Sequence, residues 1–87
     1  MSAQEELNAP AGLSDLEVRI LEFERSWWRY AGAKESAIKE LFDLSAPRYY
    51  QLLNDLIDRE EALVASPMLV KRLRRLREAR MSSRLAR

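Results

Sequence analysis

One apolar stripe near the start of the chain constrains the fold more than any other feature of the sequence. Its members recur at alternating steps of three and four residues, which places them on one face of a single helix. They are Leu13, Leu16, Ile20, Phe23 and Trp27. Ser14 is a good N-cap, and Glu17 completes a capping box with it. The pattern predicts a first helix over about residues 14–30, with Glu24 and the other charged residues off the stripe.

Three further stretches carry helical signals. A second helix is predicted over about residues 34–42, a third over about 46–58 with Ser45 as N-cap, and a last one from Pro67 to about Ser82. A short helical turn fits between residues 58 and 65. The chain has three Ile, three Val and no Thr, a composition that favours helix over sheet. The predicted fold class is therefore all-α, a small helical domain of four to five helices.

Residues 35–57 have the spacing of a helix-turn-helix. In that motif a few apolar residues at fixed offsets hold two short helices across a tight turn. Apolar residues occupy all of these positions here, namely Ile38, Phe42, Leu44, Tyr49 and Leu52. Two residues depart from the pattern: Lys39 stands where a small residue is usual, and Asp43 where glycine is usual. Helical packing motifs without DNA binding share this spacing, so both interpretations stay open.

Charge is divided unevenly along the chain. The net charge is +1, yet residues 67–87 hold eight basic side chains against Glu78 alone, which gives about +7 there and about −6 elsewhere. Such a basic C-terminal helix is typical of a protein with a polyanionic partner. The segment has no aromatic residue on its apolar side and no lipidation site, so DNA is favoured and no membrane partner is expected. A solvated helix end is the alternative.

These patterns predict two groups of DNA-contacting residues. On the third helix, the side chains suited to base edges or phosphates are Ser45, Arg48, Tyr50, Gln51 and Asn54. On the basic helix, those suited to phosphates or to a narrow A·T-rich minor groove are Lys71, Arg72, Arg74, Arg75, Arg77, Arg80 and Arg84. Asp55 and Asp58 would repel the DNA backbone, which favours contact through the first half of the third helix. An ordinary solvated helix face is the competing interpretation for Arg48 and Gln51.

Composition excludes several chemistries. The chain has no Cys and no His, so thiolate nucleophiles, imidazole acid–base catalysis and the usual zinc sites are excluded. No convergent set of other catalytic side chains is visible, and we expect neither an enzyme nor a cofactor. The first residues lack the apolar core of a secretory signal, so a cytoplasmic location is expected. The predicted organisation is a flexible segment over 1–12, a helix-turn-helix domain over 13–76 and a basic extension over 77–87.

Three segments carry a family resemblance. They are RSWWRYAGAKE at residues 25–35, RYYQ at 48–51 and LVKRLRRL at 69–76. Together they resemble a small actinobacterial family of domains of unknown function, over about residues 13–80. One mycobacterial member is described as a nucleoid-associated protein that binds DNA with little sequence specificity. The resemblance implies a nucleoid location, chromosome organisation and supercoiling-sensitive transcription regulation, and it supplies no contact residues.

The expected function is therefore that of a cytoplasmic protein that binds double-stranded DNA. Two forms of it stay open: a nucleoid-associated protein of low sequence specificity and a small transcriptional regulator. The alternative is a protein–protein adaptor whose basic helix binds an acidic partner such as the transcription machinery. Whether the protein forms a homodimer also stays open, and Trp28 is one candidate for its interface.

Overall fold

The computed structural model describes residues 12–30 and 32–85, with side chains up to residue 82. Within these ranges the chain forms five α-helices, one 3₁₀ turn and no strand, which confirms the all-α prediction. The helices are α1 (Asp15–Ser26), α2 (Lys34–Phe42), α3 (Ala46–Ile57), α4 (Glu60–Ala65) and α5 (Pro67–Leu85), and the 3₁₀ turn Trp27–Arg29 follows α1. None of these helices is both long and apolar enough to cross a membrane. All of the segment predicted to be flexible, except Gly12, lies outside the described residues.

Helix α1 begins as predicted but ends early. The Ser14 hydroxyl accepts a hydrogen bond from the Glu17 backbone N–H at 3.1 Å, and the Glu17 carboxylate accepts one from the Ser14 N–H at 2.9 Å. At the other end, the Ser26 hydroxyl donates to the Glu22 carbonyl at 3.2 Å, and the Ser26 backbone leaves the helical conformation. A 3₁₀ turn therefore replaces the last α-helical turn that the sequence predicts.

This early end changes which residues of the stripe are buried. Ile20 and Phe23 lie in the core as predicted, and Trp27 is partly buried against it. Trp28 lies in the 3₁₀ turn and is 61% exposed to solvent. Leu16 is 37% exposed, so its placement on the buried face was wrong.

Helices α2 and α3 meet at a short turn whose two ends are set by local hydrogen bonds. Asp43 adopts the left-handed conformation (φ 57°), and its N–H donates to the Lys39 carbonyl at 2.9 Å, which ends α2. Ser45 begins α3, because its hydroxyl accepts a hydrogen bond from the Arg48 N–H at 3.3 Å. Pro47 lies in the first turn, where a missing N–H costs nothing.

The packing positions predicted for residues 35–57 all lie in or against the core. Ile38 and Tyr49 are buried, and Phe42, Leu44 and Leu52 are partly buried. Lys39 does not disturb this packing, since its ammonium binds the Asp43 carboxylate at 2.8 Å in solvent. The small residue buried beside Ile38 is Ala37.

Helix α5 crosses the other side of the core and contacts α1, α3 and α4. Leu69 and Val70 are buried there and Leu73 is partly buried, whereas Leu76 is exposed although the sequence places it on the apolar side. The helix continues without a break to Leu85, three residues beyond the predicted end.

Glu17 also joins the start of α1 to the segment before α4. Its carboxylate binds the Arg59 guanidinium at 2.7 Å, and Arg59 donates a second hydrogen bond to the Gly12 carbonyl at 2.7 Å. Partial burial works to raise the pKa of Glu17, but the hydrogen bonds from Ser14 and Arg59 outweigh it and hold the pKa below its usual value. The folded state therefore favours the carboxylate form.

A Glu17→Gln variant should show a weaker acid dependence of stability. A lowered pKa stabilises the fold fully above the unfolded value, about 4.5, and this contribution is lost as the pH falls through the lower folded pKa. The contribution should be about 1 kcal/mol or less because the pair is partly exposed. Urea midpoints measured across acidic pH test this, and Arg59→Gln should flatten the same part of the curve. A Glu17→Gln curve parallel to that of the wild type would contradict the assignment.

Candidate nucleic-acid interface

The exposed side of α3 carries part of the first predicted group. Ser45 lies exposed at its N-terminus, and Arg48 and Gln51 follow one turn apart. These two side chains bind each other, since an Arg48 guanidinium N–H donates to the Gln51 amide oxygen at 2.7 Å. Recognition of adenine by Gln uses its oxygen as well as its NH₂ group. The Arg48 guanidinium therefore competes with adenine for the Gln51 oxygen.

Tyr50 and Asn54 line a different surface, a cleft of about 250 Å³ between α3 and α5. The opposite wall of the cleft includes Arg77 and Arg80. The structure thus brings together two residues from each predicted group, although the groups are separate in sequence. Arg48 and Gln51 do not line this cleft.

A buried charge lies at the base of the cleft. Glu24 is 4% exposed, although the sequence pattern places it off the apolar stripe. The Tyr49 hydroxyl donates to one of its carboxylate oxygens at 2.6 Å, and the Lys34 ammonium lies 3.0 and 3.2 Å from the two oxygens. The sequence did carry a signal, because Glu24 stands four residues after Ile20 and three before Trp27, at helical spacing.

Lys34 connects this charge to two aromatic rings. Its ammonium lies 5.2 Å from the ring centre of Trp27 and 5.1 Å from that of Tyr50, within the range of cation–π attraction. Burial raises the pKa of the Tyr49 phenol far above its usual range, and the Glu24 carboxylate raises it further. Tyr49 therefore stays protonated and acts as a permanent donor to Glu24.

Two arginines of the second group stabilise the C-terminal end of α3. Arg74 donates to the Ile57 carbonyl at 2.6 Å, and Arg77 donates to the Asn54 carbonyl at 3.3 Å. Arg77 also binds the Asp58 carboxylate at 2.7 Å, and this hydrogen bond holds the pKa of Asp58 below its usual range. The last carbonyls of a helix lack partners within it and form the negative end of its dipole, so both cations are well placed there.

The other cations of α5 point elsewhere. Lys71, Arg72 and Arg75 are exposed on its outer side, and the hydrogen bonds and ion pairs described for α5 are made by Arg74 and Arg77. The side chains of Arg72 and Arg75 border a surface depression that also contains Trp28 and Met68. The side chain of Arg84 lies outside the described residues, as does residue 87.

Arg74→Gln should destabilise the protein, whereas Arg72→Gln should not. Both variants remove one positive charge, but the first also leaves the partly buried Ile57 carbonyl without its charged donor. We expect Arg74→Gln to cost about 1–2 kcal/mol and Arg72→Gln to stay within about 0.5 kcal/mol of the wild type. Urea denaturation followed by circular dichroism measures both. Equal losses in the two variants would show that charge, and not the hydrogen bond, sets the effect.

Tyr49→Phe should also lower stability, because it keeps the ring and removes a hydrogen bond to a buried carboxylate. A loss of about 1–3 kcal/mol is expected from a buried acceptor that loses a donor. Tyr30→Phe is the matched control: Tyr30 is exposed, and its change should fall within about 0.5 kcal/mol. A neutral Tyr49→Phe variant would mean that Lys34 alone satisfies Glu24.

Comparison with known proteins assigns the chain to a family whose function is unknown. Residues 12–85 match the family described as "Protein of unknown function (DUF3263)". No curated protein and no solved structure gives a significant match. The matched region spans all five α-helices and far more than half of the chain. The protein therefore belongs to the DUF3263 family.

Proposed function

We propose that this protein binds double-stranded DNA with low sequence specificity and acts as a nucleoid-associated protein. The observation that carries the proposal is the outer side of α5, where Lys71, Arg72 and Arg75 lie exposed within about one turn. A helix surface with this density of cations attracts phosphates, and each neutralised phosphate releases counterions. The nucleoid location rests on the sequence resemblance to the actinobacterial family, one mycobacterial member of which is described as nucleoid-associated.

The cations available to DNA are fewer than the sequence count implies. Arg74 and Arg77 bind the end of α3, so the described candidates on α5 are Lys71, Arg72, Arg75 and the exposed Arg80. With a slope of about −0.9 per phosphate contact, these four side chains account for a salt dependence of about −3 to −4 in log K against log salt. The sequence adds Arg84 and Arg87, so contacts by all six remaining cations would give about −5, against about −7 for eight.

The side chains on the exposed side of α3 support low sequence specificity. Gln51 already accepts a hydrogen bond from Arg48, and the exposed carboxylate of Asp55 lies on the same helix beside Asn54. A bidentate base contact by Gln51 competes with the first interaction, and the Asp55 carboxylate repels the DNA phosphates. Phosphate contacts by α5 carry no sequence information of their own.

A small transcriptional regulator is the second candidate. It is favoured by the short turn between α2 and α3, with Asp43 in the left-handed conformation and Ser45 as the N-cap of the second helix. In that case Arg48→Ala would weaken binding at a preferred site more than on unrelated DNA. An equal loss on every sequence favours the nucleoid-associated form.

Arg75→Gln should weaken DNA binding and reduce its salt dependence. We expect the slope of log K against log salt to fall in magnitude by about 0.9, the contribution of one phosphate contact. Fluorescence anisotropy with a labelled duplex at about 50–200 mM salt measures affinity and slope together.

Lys39→Gln is the matched control for this experiment. It also removes one exposed positive charge, but that charge is already paired with Asp43. Its affinity and slope should remain those of the wild type. Failure of the wild-type protein to bind duplex DNA at about 50 mM salt would exclude the proposal. Binding to an acidic protein partner in its place would favour the adaptor.

A further inference from the structure

Two large apolar side chains are exposed together beside the cations of α5. Met68, in the first turn of α5, is 83% exposed, and Trp28, in the 3₁₀ turn, is 61% exposed. Both line a depression of about 360 Å³ that is bordered by Arg25, Arg72 and Arg75. We call Trp28 and Met68 the apolar patch. Large apolar side chains that are exposed side by side are candidates for an interaction surface.

The fold holds the patch in place. Arg25, near the end of α1, donates to the Ser66 hydroxyl at 2.8 Å, and Ser66 is buried directly before α5. This bond joins the end of the helix that precedes Trp28 to the start of the helix that carries Met68. The backbone segments that carry the two exposed side chains are therefore held by packed elements before any partner binds.

The surroundings of the patch favour a polyanion over two other occupants. A second copy related by a twofold axis would bring the bordering arginines of both copies together, and like charges would oppose the contact. A membrane requires an apolar helix face that continues over several turns. The outer side of α5 after Met68 instead presents Lys71, Arg72, Arg75 and then Glu78, so the apolar element spans a single turn.

We infer that the apolar patch kinks DNA, with Met68 inserted between two base pairs. Methionine is among the side chains that architectural proteins insert at base steps, and such wedges bend the duplex by roughly 20–90°. Trp28 would cover the exposed base-pair face by stacking, and Arg72 and Arg75 would neutralise the adjacent phosphates. This inference rests on the proposed DNA binding and adds to it a specific distortion of the DNA.

The test separates bending from binding. A duplex of about 20–30 base pairs, with a donor and an acceptor dye at its ends, reports bending by energy transfer, and anisotropy of the same duplex reports affinity. Wild-type protein should increase the energy transfer. Met68→Ala should abolish most of this increase while affinity changes by no more than about fivefold, because the lost contacts are offset by the deformation that is no longer required. Val64→Ala is the matched control, since Val64 is an apolar residue that is 74% exposed on α4, and it should bend DNA as the wild type does.

Each outcome has one meaning. Binding by the wild type without bending, or bending that Met68→Ala retains, overturns the inference and leaves the proposed DNA binding intact. Absence of wild-type binding overturns both. Cosedimentation with vesicles of phosphatidylglycerol and phosphatidylcholine completes the test: vesicle binding that depends on Met68, without a Met68-dependent bend, assigns the patch to a lipid surface and overturns the inference.

Discussion

The rest of the structure depends on the interaction of the buried Glu24 carboxylate with Tyr49 and Lys34. A carboxylate removed from water is costly unless hydrogen bonds and a cation replace its hydration. Here the replacement comes from two other helices, because Tyr49 belongs to α3 and Lys34 to the start of α2. A packing that buries Glu24 without Tyr49 and Lys34 would leave its charge without partners. Since Lys34 also lies over the rings of Trp27 and Tyr50, the same interaction forms the base of the cleft between α3 and α5.

The helices that could be predicted from sequence are those whose ends depend on near neighbours. Ser14 and Ser45 cap helices through residues three positions away, and the left-handed Asp43 ends α2 in the same local manner. The burial of Glu24 could not be predicted so directly, because its partner Tyr49 lies 25 positions along the chain. The end of α1 at Ser26 was missed for another reason: a serine that binds its own helix backbone has the same sequence pattern as one that does not. An exposed Trp28 was expected, but its position beside Met68 depends on the packed structure, and so the patch was not predicted.

The basic segment illustrates the difference between charge counted in a sequence and charge available to a partner. The count of eight basic side chains over residues 67–87 is correct, but α3 ends against α5 and needs donors for its last carbonyls. Arg74 and Arg77 supply them because they lie on the side of α5 that faces α3, whereas Lys71 and Arg75 lie on the other side. Helical periodicity indicates which residues share a side, but only the packed structure shows which side meets a helix end. The candidate contact residues could therefore be named from sequence as a set and not divided by role.

Under the proposed function, preference for DNA sequence would come from deformation more than from base contacts. The Arg48–Gln51 hydrogen bond would compete with base contacts by Gln51, the nearby Asp55 would repel the DNA backbone, and the cations of α5 would contact phosphates that are the same at every step. A wedge at Met68 has different energetics, because the cost of unstacking depends on the step and is lowest at flexible pyrimidine–purine steps such as TA. A protein built in this way would favour DNA that contains such flexible steps, without any hydrogen bond to a base. The preference that arginines suggest through a narrow minor groove has a different origin, because narrow grooves belong to stiff A-tracts whereas a wedge acts at flexible steps.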